Sequence, residues 1–177
     1  MTDMQDEVDR LVAAWATERP DLDLGALAVL SRVSRLGRHL DLARRAVFAE
    51  HGLEAFEFDV LTALRRSGTP YELSPGELLG QTLVSSGTTT NRIDRLERRG
   101  LVRRRPDPRD GRAIRVRLTA TGQAIVDAAF GDLLDRERAL LGELSAHRQA
   151  ELADSLRAVL APFDAEPGAD RAARPRS

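Results

Sequence analysis

The sequence lacks cysteine and lysine and has few aromatic residues. Without cysteine the chain can form no disulfide, thiolate metal site or thiol redox sensor. Aromatic residues make up 4% of the chain, so the core must consist mainly of Leu, Ala and Val. All 27 basic residues are arginine, and codon usage in a GC-rich genome explains this better than any function does.

Long apolar runs are missing as well. No run approaches the length of a membrane span, and the acidic start "MTDMQDEVDR" lacks the apolar region of a signal peptide. With 177 residues, 42% hydrophobic and 31% charged, the chain is typical of one folded, soluble domain. We therefore expect a cytoplasmic protein.

Signals for catalysis and metal binding are also lacking. The three histidines are too dispersed for a metal site. The chain has neither a Ser-His-Asp order nor a phosphate-binding glycine loop. We expect no enzymatic activity, no metal and no cofactor.

Positive charge is concentrated in one part of the chain. Residues 92–117 hold eleven arginines against four acids, a net charge of +7, whereas the whole chain has a net charge of −1. A basic block on an acidic body is typical of a phosphate-facing surface, although an ordinary solvated face would also be basic.

Five helices are predicted before the basic block ends. An apolar stripe of Val8, Leu11, Val12 and Trp15 predicts a first helix over about residues 3–17. Asp23 can cap a second helix that runs to about residue 50. The third covers "AFEFDVLTALRRSG", the capping box of "SPGELL" opens a short fourth, and "SSGTTTNRIDRLERRG" forms the fifth.

The pattern then changes to period 2. "LVRRRP" and "RAIRVRLT" flank the turn sequence "DPRDG", which predicts a two-stranded hairpin with a basic tip. Thr119 and Ser145 can cap two further helices. Two short helices followed by a hairpin make a winged helix-turn-helix.

The chain is therefore predicted to be mainly α with a small β-hairpin. Residues 1–54 would form an extra N-terminal helix and a dimerisation helix, and residues 55–119 the DNA-binding winged helix-turn-helix. Residues 120–163 would form C-terminal dimerisation helices, because their amphipathic faces have no partner in the small winged core. The Pro-, Gly- and charge-rich residues 164–177 are predicted to be a disordered tail.

Helical geometry divides the fifth helix into two faces. An inward face is predicted for Thr89, Ile93, Leu96 and Gly100, and an outward face for Thr88, Asn91, Arg95 and Arg98. Hydroxyl, amide and guanidinium groups suit a groove-reading surface, because they can bond to base edges and phosphates. Arg99 lies at the edge of this face as a predicted phosphate contact.

Arg92 belongs to neither face. It lies roughly 60° from the centre of the apolar face at 100° per residue. A half-buried guanidinium needs an acceptor. Asp59 has no basic neighbour on its own helix, so an Asp59–Arg92 pair is a hypothesis, with an exposed helix carboxylate as the alternative.

Residues 74–122 closely resemble the MarR family of bacterial transcription regulators, above all in "GLVRR", "DPRDGR" and "LTATG". The resemblance implies a homodimeric winged-helix protein that binds palindromic double-stranded DNA operators. It implies that the helix after "SSG" reads the major groove. It also implies that Arg112, with Arg109 beside it, enters the minor groove while Asp110 steadies the wing tip. The expected DNA-contacting residues are then Ser86, Thr88, Thr90, Asn91, Arg95, Arg98, Arg99, Arg109 and Arg112.

The sequence is more similar still to the urate-responsive regulators of PecS and HucR type, which carry an extra N-terminal helix with a Trp. Their ligand-binding residues match Trp15, Asp59, Arg92 and Arg104. The resemblance implies that Trp15 and Arg104 hold a small anionic effector such as urate. Asp59, repelled by the effector, would then draw Arg92 and displace the helix from the groove.

Two other interpretations remain. Another branch of the family would respond to a phenolic, xenobiotic or tricarboxylate ligand. A winged-helix module could also serve mainly for protein interaction. For Trp15 the alternative role is packing, and for Arg104 it is contact with backbone phosphate.

Overall fold

The computed structural model describes residues 5–81, 86–108, 110, 111 and 113–164, without the side chains of residues 86–90. The described elements comprise seven helices and three strands. In chain order they are α1 (Glu7–Glu18), α2 (Gly25–Glu50), α3 (Ala55–Arg66), β1 (Glu72–Leu73), α4 (Pro75–Gln81), α5 (Ser86–Arg98), β2 (Val102–Pro106), β3 (Ile114–Leu118), α6 (Ala120–Leu140) and α7 (Ala146–Asp164).

The chain forms two compact units, the first ending at Leu134 and the second beginning at Asp135. The first unit holds one apolar core, to which the end of α2, α3, α4, α5, the sheet and α6 contribute. The rings of Phe48 and Phe58 stack in this core with their centroids 4.1 Å apart. Aliphatic residues fill the rest, as the low aromatic content predicts.

The sheet has three antiparallel strands in the order β1-β3-β2. The predicted hairpin is present, with Val102 opposite Leu118 and Pro106 opposite Ile114. The prediction of two strands was incomplete, because β1 pairs with the other edge of β3. A two-residue strand is too short for its alternation to be recognised in the sequence.

Three predicted helix starts are confirmed by their hydrogen bonds. The Ser74 N–H donates to Glu77 Oε2 (2.6 Å), and the Glu77 N–H donates to Ser74 Oγ (3.2 Å), which completes the capping box. The Gly122 N–H donates to Thr119 Oγ1 (3.0 Å) at the start of α6. Ser145 Oγ accepts from the Arg148 N–H at 3.4 Å at the start of α7.

The first two helices begin later than predicted. The cap of α1 is Asp6, which shares a capping box with Asp9, because this pair satisfies two free N–H groups at once. For α2 the N-cap position is Leu24, without a side-chain bond. The Asp23 carboxylate instead accepts a hydrogen bond from the N–H of Gly25 (2.9 Å), the first residue of α2.

The additional helix α1 is attached to α2 by burial and charge. Val8 is 2% exposed. The Arg32 guanidinium bonds to Asp6 (2.9 Å) and Asp9 (2.6 Å), and Arg35 pairs with Glu7. These contacts fix α1 along α2, although half-exposed ion pairs of this kind contribute little stability each.

Large apolar side chains remain exposed on the helices for which dimerisation is predicted. They include Trp15, Val29, Leu30, Phe130, Val159, Leu160 and Phe163. None of the described helices is long and apolar enough to span a membrane. The predicted domain boundaries remain predictions; Asp164 ends α7, and residues 165–177 of the predicted tail lie outside the described residues.

A glycine allows α6 to begin directly against the end of α5. A Cβ atom on Gly122 would lie 2.1 Å from the Leu101 carbonyl oxygen. Thr119 Oγ1 lies in the same junction, 2.8 Å from the Gly100 carbonyl oxygen and 3.0 Å from that of Leu101. Thr119 and Gly122 of "LTATG" therefore hold the start of α6 against the backbone of Gly100 and Leu101, which connect α5 to β2.

The variant Gly122→Ala should lower the free energy of unfolding by about 2 kcal/mol, because the backbone must move to accommodate the new methyl group. Gly131→Ala on the same helix is the matched control, since its added Cβ meets nothing within 4 Å. The control should raise stability by about 0.5–1 kcal/mol. Urea unfolding measures both, and a Gly122→Ala protein as stable as wild type would contradict the packing described here.

Candidate nucleic-acid interface

Burial holds one face of α5 in the core. Ile93 is 1% exposed and Leu96 is fully buried, as predicted for the inward face. Gly100 follows the helix with a φ of +70°, a conformation that favours glycine. The rotation of α5 about its axis is therefore fixed by two apolar side chains and by the chain reversal that follows.

Three of the four residues predicted for the outward face have described side chains: Asn91, Arg95 and Arg98. Asn91 and Arg98 are both exposed, as predicted. The side chains of Ser86, Thr88 and Thr90 lie outside the described residues, as do Arg109 and Arg112 at the wing tip. Their predicted DNA contacts therefore remain predictions.

The Arg95 side chain points in a direction that the prediction did not include. Its backbone position is on the outer side, but its guanidinium bends to the start of α3, 2.5 Å from Glu54 Oε1 and 3.3 Å from Glu57 Oε1. Helical geometry places only the Cβ atom, whereas the long side chain follows the nearest carboxylates. Arg95 is still 45% exposed.

Arg99 differs more. Its Nη1 donates to Glu57 Oε2 (2.5 Å), and its Nη2 donates to the Gly52 carbonyl oxygen (2.8 Å). Both terminal nitrogens therefore face the protein instead of the groove edge. A phosphate contact was predicted for Arg99 from the sequence because Glu57, whose carboxylate accepts the hydrogen bond from Arg99, was not considered.

Glu57 is the residue that sequence reasoning missed. Among the charged residues that the structure describes, Glu57 is the one that is buried, and its exposure is 0%. Its spacing to Val60, Leu61 and Leu64 is i+3, i+4 and i+7, which places it on the apolar stripe of α3. A carboxylate on such a stripe needs a cation, and that signal was available in the sequence.

Arg92 lies against α3, as predicted, but not in the predicted pair. Its guanidinium carbon is 4.5 Å from the centroid of the Phe56 ring, a cation–π contact. Among the ion pairs of the described residues, none joins Arg92 to Asp59, and Asp59 is exposed, as the alternative of an exposed helix carboxylate predicted. The Arg92 charge nevertheless acts on that carboxylate, because it opposes the rise in the pKa of Asp59.

The Asp59 carboxylate is in an unfavourable position when ionised. Partial burial is the main cause that raises its pKa above the ordinary value, and the nearby charges of Arg92, Arg66 and Arg44 only partly offset it. Because Asp59 is also exposed to solvent, a negative charge at this site costs only a small amount of folding free energy at neutral pH.

Arg104 connects the wing to α5. It lies on the inner face of β2, where its Nη1 donates to Glu97 Oε2 (2.5 Å) and its Nη2 bonds to Asp94. Its backbone N–H also donates to Glu97 Oε1 (2.7 Å). Desolvation is the largest single influence on the pKa of Arg104 and lowers it, but the two carboxylates together raise the pKa above its ordinary value. The guanidinium is therefore fixed between two carboxylates of α5.

The outer face of the wing carries four arginines in two facing pairs. Arg103 lies opposite Arg117, and Arg105 lies opposite Arg115. Carboxylates meet the β3 members: Asp107 at 2.9 Å and Glu77 at 3.2 Å from Arg115, and Glu72 at 3.3 Å from Arg117. Arg103 and Arg105 on β2 are exposed, which leaves this edge strongly basic.

The four predicted effector residues are brought together only in part. Asp59 and Arg92 influence each other across α3 and α5, and Arg104 lies against α5. Trp15 is 47% exposed on α1. Among the contacts of the described residues, no side-chain contact joins Trp15 to the other three.

The variant Asp59→Asn should raise the free energy of unfolding at pH 7, by less than about 1 kcal/mol because the carboxylate is partly solvated. A raised pKa means that the folded state holds the proton more tightly than the unfolded chain. Stability therefore falls as the pH rises from the ordinary Asp value through the raised one, and the gain should vanish near pH 4.

Urea unfolding at the two pH values measures this effect. Asp41→Asn on α2, an acid that is 70% exposed, is the control and should change stability by less than about 0.5 kcal/mol. Equal gains at pH 7 and pH 4 would show that desolvation of Asp59 is not their cause.

Comparison with known proteins agrees with this architecture. The family model described as MarR family matches residues 51–113. A MarR family protein from Bacillus stearothermophilus shares the fold with a TM-score of 0.68 and 24% identity, over 81% of this chain and 99% of that one. A mutant MarR from E. coli, complexed with operator DNA, has a TM-score of 0.61 and 26% identity, over 88% of this chain and 99% of that one.

A curated relative covers most of the sequence as well. The HTH-type transcriptional regulator PecS of Dickeya dadantii is 36% identical over 146 residues, which are 82% of this chain and 88% of the relative. The similar proteins are transcriptional regulators and not enzymes. With its three-stranded sheet and winged helix-turn-helix, the chain belongs to the MarR family of transcriptional regulators.

Proposed function

We propose that this protein binds palindromic operator DNA as a homodimer and releases it when a small anionic effector, urate or a related compound, binds. The observation that carries the DNA-binding part is the orientation of α5. Its apolar face is fixed in the core, so Asn91 and Arg98 face outward beside the basic wing. The similarity to a MarR structure complexed with operator DNA supports operator binding by this chain.

The exposed groups have the chemistry that this role requires. An Asn amide can bond to adenine, and an Arg guanidinium to guanine or phosphate. Arg103 and Arg105 add positive charge along the wing, at whose tip Arg112, with Arg109 beside it, would enter the minor groove. Exposed apolar residues on α1, α2, α6 and α7 support a helical dimer interface.

The effector part is supported by the charges around α5. Asp59 is already destabilised when ionised, so a second negative charge nearby would repel it further. Arg104 is a fixed cation that an anion could take from Asp94 and Glu97. Because both carboxylates are on α5, their release and the movement of Arg92 toward Asp59 would disturb the DNA-reading helix.

Operator affinity should be on the order of 10⁻⁸–10⁻¹¹ M at physiological salt. Asn91→Ala and Arg98→Ala should each weaken binding by roughly 5- to 150-fold, equivalent to about 1–3 kcal/mol. The probe is a duplex that the wild-type protein selects from a random-sequence library, and fluorescence anisotropy gives the dissociation constant.

Arg19→Ala is the control, because Arg19 is exposed at the end of α1 and pairs with Asp21. It should bind like wild type. A double variant of Arg98 and Arg112 with unchanged DNA affinity would instead favour a protein-interaction module.

Urate should release the bound duplex in a gel-shift titration, and Asp59→Ala should abolish that response while DNA binding remains. Xanthine, citrate and salicylate are titrated in parallel. A response to salicylate or citrate that survives Trp15→Phe and Arg104→Ala would assign the protein to another branch of the family. If no compound shifts the complex and Asp59→Ala behaves as wild type, the effector assignment is wrong.

A further inference from the structure

The carboxylate of Glu57 is fully buried in an otherwise apolar cluster around α3. Its Oε2 accepts from the Glu54 N–H (3.0 Å) and from Arg99 Nη1 (2.5 Å). Its Oε1 is buried without a hydrogen-bond partner, and Arg95 Nε lies 3.3 Å away as a charge contact. Arg99 is therefore the principal cation that compensates a charge which cannot reach water.

Arg99 spans two parts of the fold with one guanidinium. While Nη1 bonds to Glu57, Nη2 donates to the Gly52 carbonyl oxygen at 2.8 Å. Gly52 lies in the turn between α2 and α3 and has a φ of +65°. The planar, forked donor set of arginine suits this bridge, because its two nitrogens reach separate acceptors, whereas lysine would have to reach both from one nitrogen. The last turn of α5 is thereby attached to the corner where α2 ends.

A phosphate contact by Arg99 would conflict with this arrangement. Turning the guanidinium outward would leave Glu57 ionised and buried, with the Glu54 N–H as its hydrogen-bond donor and a 3.3 Å contact to Arg95 as its remaining ion pair. Removing one partner of a buried ion pair is strongly unfavourable, because the other charge is then left buried without compensation. Arg98, the adjacent residue, is exposed and can contact phosphate without this cost.

We infer that Glu57 and Arg99 are positioning residues, which set the orientation of α5 and thus operator affinity without touching the DNA. This inference rests on the proposed DNA binding through α5. The start of α3 contacts two further arginines of the same helix, because the Phe56 ring lies 4.5 Å from the Arg92 guanidinium and 5.7 Å from that of Arg95. Those contacts are partly solvated, so Glu57 is the fixed point of the set.

The salt dependence of DNA binding distinguishes positioning from phosphate contact. Each phosphate contact contributes about 0.9 to the slope of log K against log salt. Glu57→Gln keeps the shape of the side chain and removes its charge. Arg99→Gln removes the bridge, and Arg99→Lys keeps the positive charge while losing the second bond. Arg98→Gln is the matched control on the neighbouring residue.

With the selected duplex and anisotropy at four salt concentrations, Glu57→Gln, Arg99→Gln and Arg99→Lys should each weaken binding by roughly tenfold. Their salt slopes should equal that of wild type. Arg98→Gln should lower the slope by about 0.9. The double variant Glu57→Gln/Arg99→Gln should weaken binding no more than either single variant, because the two residues act as one pair.

A variant could also bind DNA weakly because part of it is unfolded. Titrating each protein with an excess of duplex gives the fraction that can bind, and the affinity is then calculated for that fraction alone. Val126→Ala removes core volume on α6, where Val126 is 1% exposed. It should lower the unfolding midpoint while the folded fraction binds with wild-type affinity. If Glu57→Gln does not fold, the two Arg99 variants test the inference.

Three results would overturn the inference. Wild-type affinity in the Arg99 variants would show that the pair does not affect α5. A slope reduced by about 0.9 in Arg99→Gln would identify a phosphate contact. Tighter binding by Glu57→Gln would mean that the carboxylate competes with DNA for arginine. If the wild-type protein selects no duplex, the proposed function fails and the inference fails with it.

Discussion

The buried carboxylate of Glu57 is the constraint on which the arrangement of the helix-turn-helix depends. A charge with no exposure must be compensated, and the cations within reach are on α5. The pairing therefore fixes not only α3 but also the distance and rotation of α5 relative to it. Ile93 and Leu96 fix the same helix from its apolar side. The helix α5 is thus held both by hydrophobic burial, which has no preferred direction, and by an ion pair, which does.

This constraint divides the arginines of α5 by what they contact. Arg92 lies over an aromatic ring, Arg95 and Arg99 bond to carboxylates of α3, and Arg98 faces solvent. A dense cluster of positive charge therefore contributes fewer free cations than the sequence suggests. Much of the charge that the sequence assigns to a DNA surface serves to hold that surface in place. Among the described residues of α5 and β2, β2 presents two exposed arginines, Arg103 and Arg105, whereas Arg98 is the α5 arginine that faces solvent.

Three of the four proposed effector residues, Asp59, Arg92 and Arg104, lie close to these same contacts. Arg104 connects β2 with Asp94 and Glu97 of α5, and Arg92 lies on the side of α5 that faces α3. An anion near Asp59 would therefore meet a helix that is held by several separate polar contacts. Each can be exchanged for a bond to a ligand, whereas the buried Glu57 pair cannot.

The sequence by itself determined the helix order, the hairpin, the caps at Ser74 and Thr119 and the inward face of α5. These features depend on periodicity and on hydrogen bonds between near neighbours, which short segments encode. Only the tertiary structure decided the third strand and the destinations of Arg95 and Arg99. A two-residue strand has no period, and a long guanidinium can reach acceptors on another helix whatever the direction of its own Cβ atom. Glu57 stands between these cases, because its place on the apolar stripe was encoded locally but its partner was not.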